Sequence, residues 1–280
     1  MEKVFTFPQI QAGCIPRPRD FVSLVDVIRR ELDESSIVQG AIIHGSVFRG
    51  DHSIRSDVDV LMLYESRRDG EVADLQQLLH DEASSLAIPL RLIAVDAELA
   101  KAGDHNLPPM YLEHLARVAS RPGVIKENPL DFVQPLPITY HRDLHQYLTR
   151  KRDAFSHALG CLRVMSEEKR ADALGKALSF PVIAARKMLQ YANPTALENG
   201  GDGKARVLSL YSSLRIERGS EILAEMQKMN VMYDVALRHQ RDTLNRRSYE
   251  MTLRLLECML YLAFEFAKIN LVALRTLEQG

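Results

Sequence analysis

Two short apolar runs, joined by a polar loop, constrain this chain more than any other part of it. Residues 37–43 (IVQGAII) lead into His44-Gly45-Ser46, and residues 57–64 (DVDVLMLY) open with Asp57 and Asp59 at alternate positions. Apolar runs of this length, rich in β-branched residues, predict strands. In a strand, residues two apart point to the same face, so Asp57 and Asp59 present two carboxylates side by side. Such charges repel unless a cation lies between them, and hard Mg²⁺ favours carboxylate oxygens together with substrate phosphates. Gly45 lets backbone approach a ligand closely, and the amides and hydroxyl at Ser46 suit phosphate oxygens. The two pieces together predict a site for a nucleoside triphosphate bound through metal. Asp-x-Asp alone would be an ordinary solvated strand edge; the specificity lies in the order strand, Gly-Ser, loop, Ser-Asp-x-Asp, strand.

Around this centre the first half reads as mixed α and β. The apolar spacing predicts helices over 20–33 and 71–87, a third strand over 88–95 (IPLRLIAV) and a short helix over 110–119. Pro122, Pro129, Pro135 and Pro137 break regular structure and place a domain boundary near residue 130. Beyond it the pattern is helical: 142–166, 170–191 with a bend at Pro181, 220–239 and 248–277, with a loop over 198–205 (ENGGDGKA). The fold class expected is therefore α+β, a small mixed-sheet domain (1–130) followed by an all-helical bundle (131–280).

The motif resembles that of the DNA polymerase β-like nucleotidyltransferase superfamily, in particular the minimal nucleotidyltransferases of toxin–antitoxin systems and the aminoglycoside nucleotidyltransferases. The likeness rests on Gly45, Ser46, Arg49, Gly50, Ser56, Asp57 and Asp59 and covers roughly residues 20–125. It implies transfer of a nucleoside monophosphate from a nucleoside triphosphate to an acceptor hydroxyl, with release of pyrophosphate. Asp57 and Asp59 would then be catalytic and hold Mg²⁺, or Mn²⁺ in its place. Gly45, Ser46, Arg49 and Ser56 would bind the nucleotide. One departure stands out. The family's third strand carries a further carboxylate, and aligning that strand puts Arg91 in its place. Asp96, five residues on and of opposite parity, is the nearest substitute, and it reads equally as a helix cap. Arg91 would instead contact phosphate, or mark an antitoxin-like or regulatory module that binds nucleotide without turning it over.

Other features carry less. His44 and His52 flank the motif and read as structural histidines. Arg152 and His157 match the Arg-x4-His form of HEPN ribonucleases, a pairing that chance supplies readily in a chain with nine histidines. Gly200-Gly201-Asp202-Gly203-Lys204 lacks the spacing and the Ser or Thr of a phosphate-binding loop. Residues 136–280 hold 22 Lys and Arg against 16 Asp and Glu, which leaves 14 against 21 in residues 1–135 from totals of 36 and 37. A basic back half, with Arg150-Lys151-Arg152, Arg186-Lys187 and Arg246-Arg247, suits an anionic acceptor such as RNA, a tRNA end included; a small molecule is the other acceptor class. Cys14, Cys161 and Cys258 have no metal-ligand spacing and fit a reducing cytoplasm. The N-terminus lacks the pattern of a secretion signal, and charges within 251–277 argue against a membrane span. Burial of that apolar helix is satisfied by a monomer's core or by a homodimer seam.

Overall fold

In the computed structural model the described residues are 2–118, 123–134, 136, 139–197, 203–242 and 245–278. Pro122, Pro135 and Pro137 of the boundary, and residues 198–202 of the glycine-rich loop, lie outside them. Residues 1–15 and 139–280 form one compact unit, and residues 16–138 form the other. The division read from sequence ran 1–130 and 131–280; the structure assigns residues 1–15 to the helical unit.

The reason is a set of contacts made by the first residues. Helix α1 (Phe7–Gln11) is closed by a reciprocal cap, in which Thr6 Oγ1 accepts from Gln9 N–H and Gln9 Oε1 accepts from Thr6 N–H. Phe5 is fully buried and its N–H donates to Tyr233 Oη at 3.4 Å. The Phe7 N–H donates to Glu167 Oε1 at 2.6 Å, and the same oxygen accepts from Tyr249 Oη–H at 3.0 Å. Glu2 pairs with Lys204 at 3.2 Å. A Cβ on Gly175 would collide with the Glu2 carbonyl, so this glycine lets main chain lie directly on a helix.

The 16–138 unit runs α2 (Pro18–Glu34), β1 (Val38–His44), α3 (Gly45–Arg49), β2 (Val58–Tyr64), α4 (Asp69–Ser85), β3 (Leu90–Asp96), α5 (Ala97–Ala102), α6 (Pro109–Val118) and β4 (Val124–Lys126). The strands form one sheet in the order β3-β2-β1-β4. β1 is antiparallel to both its neighbours, whereas β2 and β3 are parallel, joined by α4. The sheet is therefore mixed, as expected from sequence. Alternation along β2 builds two cores. Val58, Val60 and Met62 pack with Phe21, Leu24, Ile28 and Leu32 of α2 and with Val72, Leu79 and Ala83 of α4. Leu61 and Leu63 point the other way, into Ala97, Ala100, Leu107, Leu112 and Leu115. Both faces of β2 are thus covered, which is why its sequence reads as an unbroken apolar run after Asp59.

The helical unit continues with α7 (Tyr140–Cys161), α8 (Glu167–Ala192), α9 (Lys204–Tyr211), α10 (Gly219–Asp242) and α11 (Arg246–Glu278). Helix α11 contacts α7, α8 and α10 and carries buried Met259, Leu260, Ala263, Phe266 and Ala267. Phe180 meets Phe155 and Phe266 edge-on, with centroids 5.0 and 6.0 Å apart. Helix α8 runs through Pro181 as a single element. Proline supplies no N–H to the preceding turn, and in that turn the Leu178 carbonyl accepts from Asn230 Nδ2–H at 3.2 Å. Residues 204 and 205 belong to α9 rather than to the expected loop, and α9 itself was not anticipated. Among the described residues no helix is long and apolar enough to cross a membrane.

The charge-assisted bonds at Glu167 predict a measurable effect. Glu167→Ala should loosen residues 2–11, with a loss of about 1.5–3 kcal/mol. Amide hydrogen exchange should then quicken at Phe7 and its neighbours; unchanged protection there would deny Glu167 this role.

Candidate active site

The strand register sets the centre of the site. His44, the last residue of β1, pairs with Asp59 of β2, and Asp59 pairs with Arg91 of β3. His44, Asp59 and Arg91 therefore form one row across three strands. Asp59 shares the face of Leu61 and Leu63, the side covered by α5 and α6. Asp57 lies just before β2, two residues from Asp59, and both are half-buried. The sequence placed these two carboxylates at the head of a strand, and the structure has them there.

Gly45 is the point at which β1 ends and α3 begins. Its φ is +84°, a conformation that side-chain-bearing residues rarely adopt, and a Cβ there would stand 2.5 Å from Asp59 Oδ2. Glycine thus meets two demands at once: the chain turns sharply, and it passes against the carboxylate. Sequence reasoning expected a turn at Gly45-Ser46; the structure forms a short helix, with Gly50 at φ +77° ending it.

Two residues that sequence reasoning did not connect complete the row. Tyr111 of α6 lies with its hydroxyl 2.9 Å from His44 Nε2. Its phenol is pushed well above the usual tyrosine range, first by burial and then by the charge of Asp59, with Arg91 opposing. It therefore keeps its proton at neutral pH. The Arg91 guanidinium stands 5.9 Å over the Tyr111 ring, and its Nη1 is 3.9 Å from Asp59 Oδ1. The Arg91 side chain is 61% exposed against 18% for Asp59, so this long ion pair is worth at most about 1 kcal/mol and can open readily. His44 is buried and also faces the His114 ring at 6.3 Å. No spacing in the sequence joins His44, Tyr111 and His114; only the docking of α6 on the sheet does.

The remaining sequence candidates have local duties. Ser56 is buried, and its hydroxyl accepts from Ser53 N–H at 3.0 Å, which closes the loop before β2. Arg49 pairs with Asp51 at 3.2 Å, with its side chain only 9% exposed. Arg55 is fully buried in the same loop, which nothing in its polar sequence context suggested. His52 packs on Phe21 with ring centroids 4.9 Å apart. Asp96 is not brought to Asp59. It pairs with Tyr64 at the far end of the parallel strands. There its carboxylate caps α5, accepting from Glu98 N–H at 2.9 Å and Leu99 N–H at 3.0 Å, and from Ser66 Oγ–H at 2.7 Å. The Ser66 bond, helped by the two amides, holds the Asp96 carboxyl below the usual carboxylate range.

The described residues of the other two motifs have local partners. Arg152 pairs with its neighbour Asp153 at 2.7 Å, and His157 Nε2 faces Cys161 Sγ at 3.9 Å. Of the glycine-rich loop only Gly203 and Lys204 are described, and Lys204 is engaged with Glu2. Among the described residues no group of three or more His, Cys, Asp or Glu is arranged to hold a metal ion.

Residues 25–111 match the family model of the nucleotidyltransferase domain, a span that includes His44, Asp59, Arg91 and Tyr111. Comparison with curated proteins and with solved structures returned no match.

Two variants probe this geometry. Gly45→Ala should cost about 1–2 kcal/mol through its backbone conformation alone and should also displace the Asp59 carboxylate; urea denaturation measures the first effect, and wild-type stability would contradict the turn described. Asp96→Ala should cost about 1 kcal/mol as a lost cap. Because folding lowers the Asp96 pKa, its contribution is present above the ordinary carboxylate pKa and lost as pH falls through the folded value. The stability gap between Asp96→Ala and wild type should therefore be full at neutral pH and shrink in acid.

Proposed function

We propose, from the match of residues 25–111 to the nucleotidyltransferase domain model, that the chain transfers a nucleoside monophosphate from a nucleoside triphosphate to an acceptor hydroxyl. A bond forms between the acceptor oxygen and the α-phosphorus, the bond from that phosphorus to the β-phosphate oxygen breaks, and pyrophosphate leaves. The observation that carries the reading is the juxtaposition of Gly45 and Asp59, in which a strand-ending glycine passes directly against a carboxylate on the neighbouring strand. Gly45 and Ser46 take the triphosphate in this reading, through main-chain N–H and the Ser46 hydroxyl. Arg49 and Ser56 are the further nucleotide-binding candidates, and within the intervening loop Ser56 also accepts from Ser53 N–H and Arg49 pairs with Asp51.

The donor chemistry fits a divalent ion. Asp57 and Asp59 supply two hard carboxylates, and Mg²⁺ or Mn²⁺ is commonly held by one or two carboxylates with substrate phosphates and water. When bound, such an ion polarises phosphoryl oxygens and stabilises the charge that develops on them. Asp59 is oriented for this by its place in β2, and the Gly45 backbone holds it from one side. The His44–Tyr111 hydrogen bond fixes α6 over the row.

For the acceptor we favour an anionic one, RNA such as a tRNA end, over a small molecule. The basic balance of residues 136–280 supports this, as does the convergence of Lys151 and Lys187 on the Tyr147 ring, at 5.8 and 5.2 Å from its centroid. A second reading has its own observation. Arg91 occupies the register position beside Asp59, which suits a regulatory or antitoxin-like module that binds nucleotide without transfer.

Incubation with each α-³²P-labelled nucleoside triphosphate and Mg²⁺, with bulk tRNA, an aminoglycoside mixture or no acceptor, separates the two. Transfer of label is expected, and Asp57→Asn and Asp59→Asn should each lower it by roughly 10²-fold or more while the fold is kept. Full activity in either variant would remove these residues from the site. Nucleotide binding without any transfer would favour the second reading.

A further inference from the structure

Paired-ion phosphoryl sites hold two divalent cations about 3.5–4 Å apart, and the ions are bridged and flanked by several carboxylates. The row described above supplies a different charge. Asp59 and Arg91 are direct cross-strand partners, and their formal charges cancel, whereas a carboxylate at residue 91 would give that pair −2. We propose that Arg91 takes the part of one of the two cations, so that this site works with a single divalent ion. The inference rests on the nucleotidyl-transfer reading and specifies how its charge is supplied.

Three observations carry it. Position 91 is fixed by seven consecutive β2–β3 register pairs, from Val58 with Leu90 to Tyr64 with Asp96, so the substitution is not displaced by a slip of the strand. Arg91 Nη1 already stands 3.9 Å from Asp59 Oδ1, close to where a second ion bound to that carboxylate would lie. A guanidinium is cationic at any accessible pH and repels a dication placed beside it. Finally, the head group is free to move. The side chain is 61% exposed and its stem rises from a strand that is itself fixed, so the guanidinium can leave Asp59 for a phosphate while its Cα stays in place. Its planar fork suits two phosphate oxygens at once. The guanidinium also stands over the Tyr111 ring, 5.9 Å from its centroid. In the reaction, then, Asp57 and Asp59 hold one ion, and Arg91 delivers the other positive charge to the triphosphate.

The test counts ions rather than turnover. The full-length protein is dialysed with Mn²⁺ and, in turn, the α,β-methylene analogues of ATP, CTP, GTP and UTP, and bound Mn²⁺ per bound nucleotide is read by electron paramagnetic resonance. Wild type and Arg91→Lys should bind one Mn²⁺ per nucleotide. Arg91→Asp, which restores a carboxylate beside Asp59, should bind two. Arg91→Ala should stay at one ion while its nucleotide Kd rises about tenfold, the loss of one charge-assisted contact. Two ions in wild type, or an unchanged Kd in Arg91→Ala, would overturn the proposal and leave nucleotidyl transfer standing. If none of the four analogues binds, the functional reading falls and takes this inference with it. Should Arg91→Asp fail to fold, the wild-type count and the Arg91→Ala affinity decide alone.

Discussion

The antiparallel pairing of β1 with β2 is the constraint on which the rest of the 16–138 unit depends. It brings the end of one strand, His44 and Gly45, against the head of the other, Asp59. A Cβ at that crossing would meet the Asp59 carboxylate, and the φ of +84° favours glycine there, so the close approach and the sharp turn coincide at one residue. The same pairing fixes the parity of β2. With Asp59 on the α5–α6 face, Leu61 and Leu63 must follow it there, while Val58, Val60 and Met62 face α2 and α4. Shifting the strand by one residue would bury both carboxylates in the opposite core and expose the leucines, so core packing and site chemistry lock the same register.

Much of this was legible in the sequence because it follows from period two. The strands, the helices over 20–33 and 71–87, and the placement of Asp57 and Asp59 depend on local alternation and on residues near one another in the chain. The displaced third carboxylate was legible too, since the parallel register matches Arg91 to Asp59 as strand alignment implied. Asp96 illustrates the limit from the other side. Its parity argued against a place in the site, and the structure gives it a cap, where its charge meets two amide donors instead of a metal. What could not be read depends on long-range docking. The Tyr111–His44 hydrogen bond spans 67 residues, and the bond from Phe7 to Glu167 spans 160. Strand β4 has only three residues, too few for a periodic signal, and it exists because β1 offers it an open edge at Ala41 and Ile42. Burial of Arg55 is equally invisible beforehand, because a charged residue in a polar loop gives no sign that the loop folds over it.

The assignment of residues 1–15 to the helical unit has the same physical origin. The segment has too few residues to bury a core of its own, and its apolar side chains, Val4, Phe5 and Ile10, need a surface. Helices α8, α10 and α11 provide it through Glu167, Tyr233 and Tyr249. Chain order therefore misleads about domain membership here: the segment that precedes the 16–138 unit belongs by packing to the bundle.

Charge separates the two halves as packing does. In the 16–138 unit the chemistry is concentrated in one row, where a carboxylate, a guanidinium and a protonated phenol lie within a few ångströms. Such a row holds its own counter-charge. Asp59 and Arg91 set opposite formal charges 3.9 Å apart on neighbouring strands. A carboxylate at residue 91 would set two like charges directly across the strands instead. Replacing it with arginine therefore changes more than a ligand count. In the proposal made above, it trades affinity for a second cation against a site whose formal charges balance before any substrate arrives, and a phosphate is the group for which Arg91 would exchange its carboxylate partner.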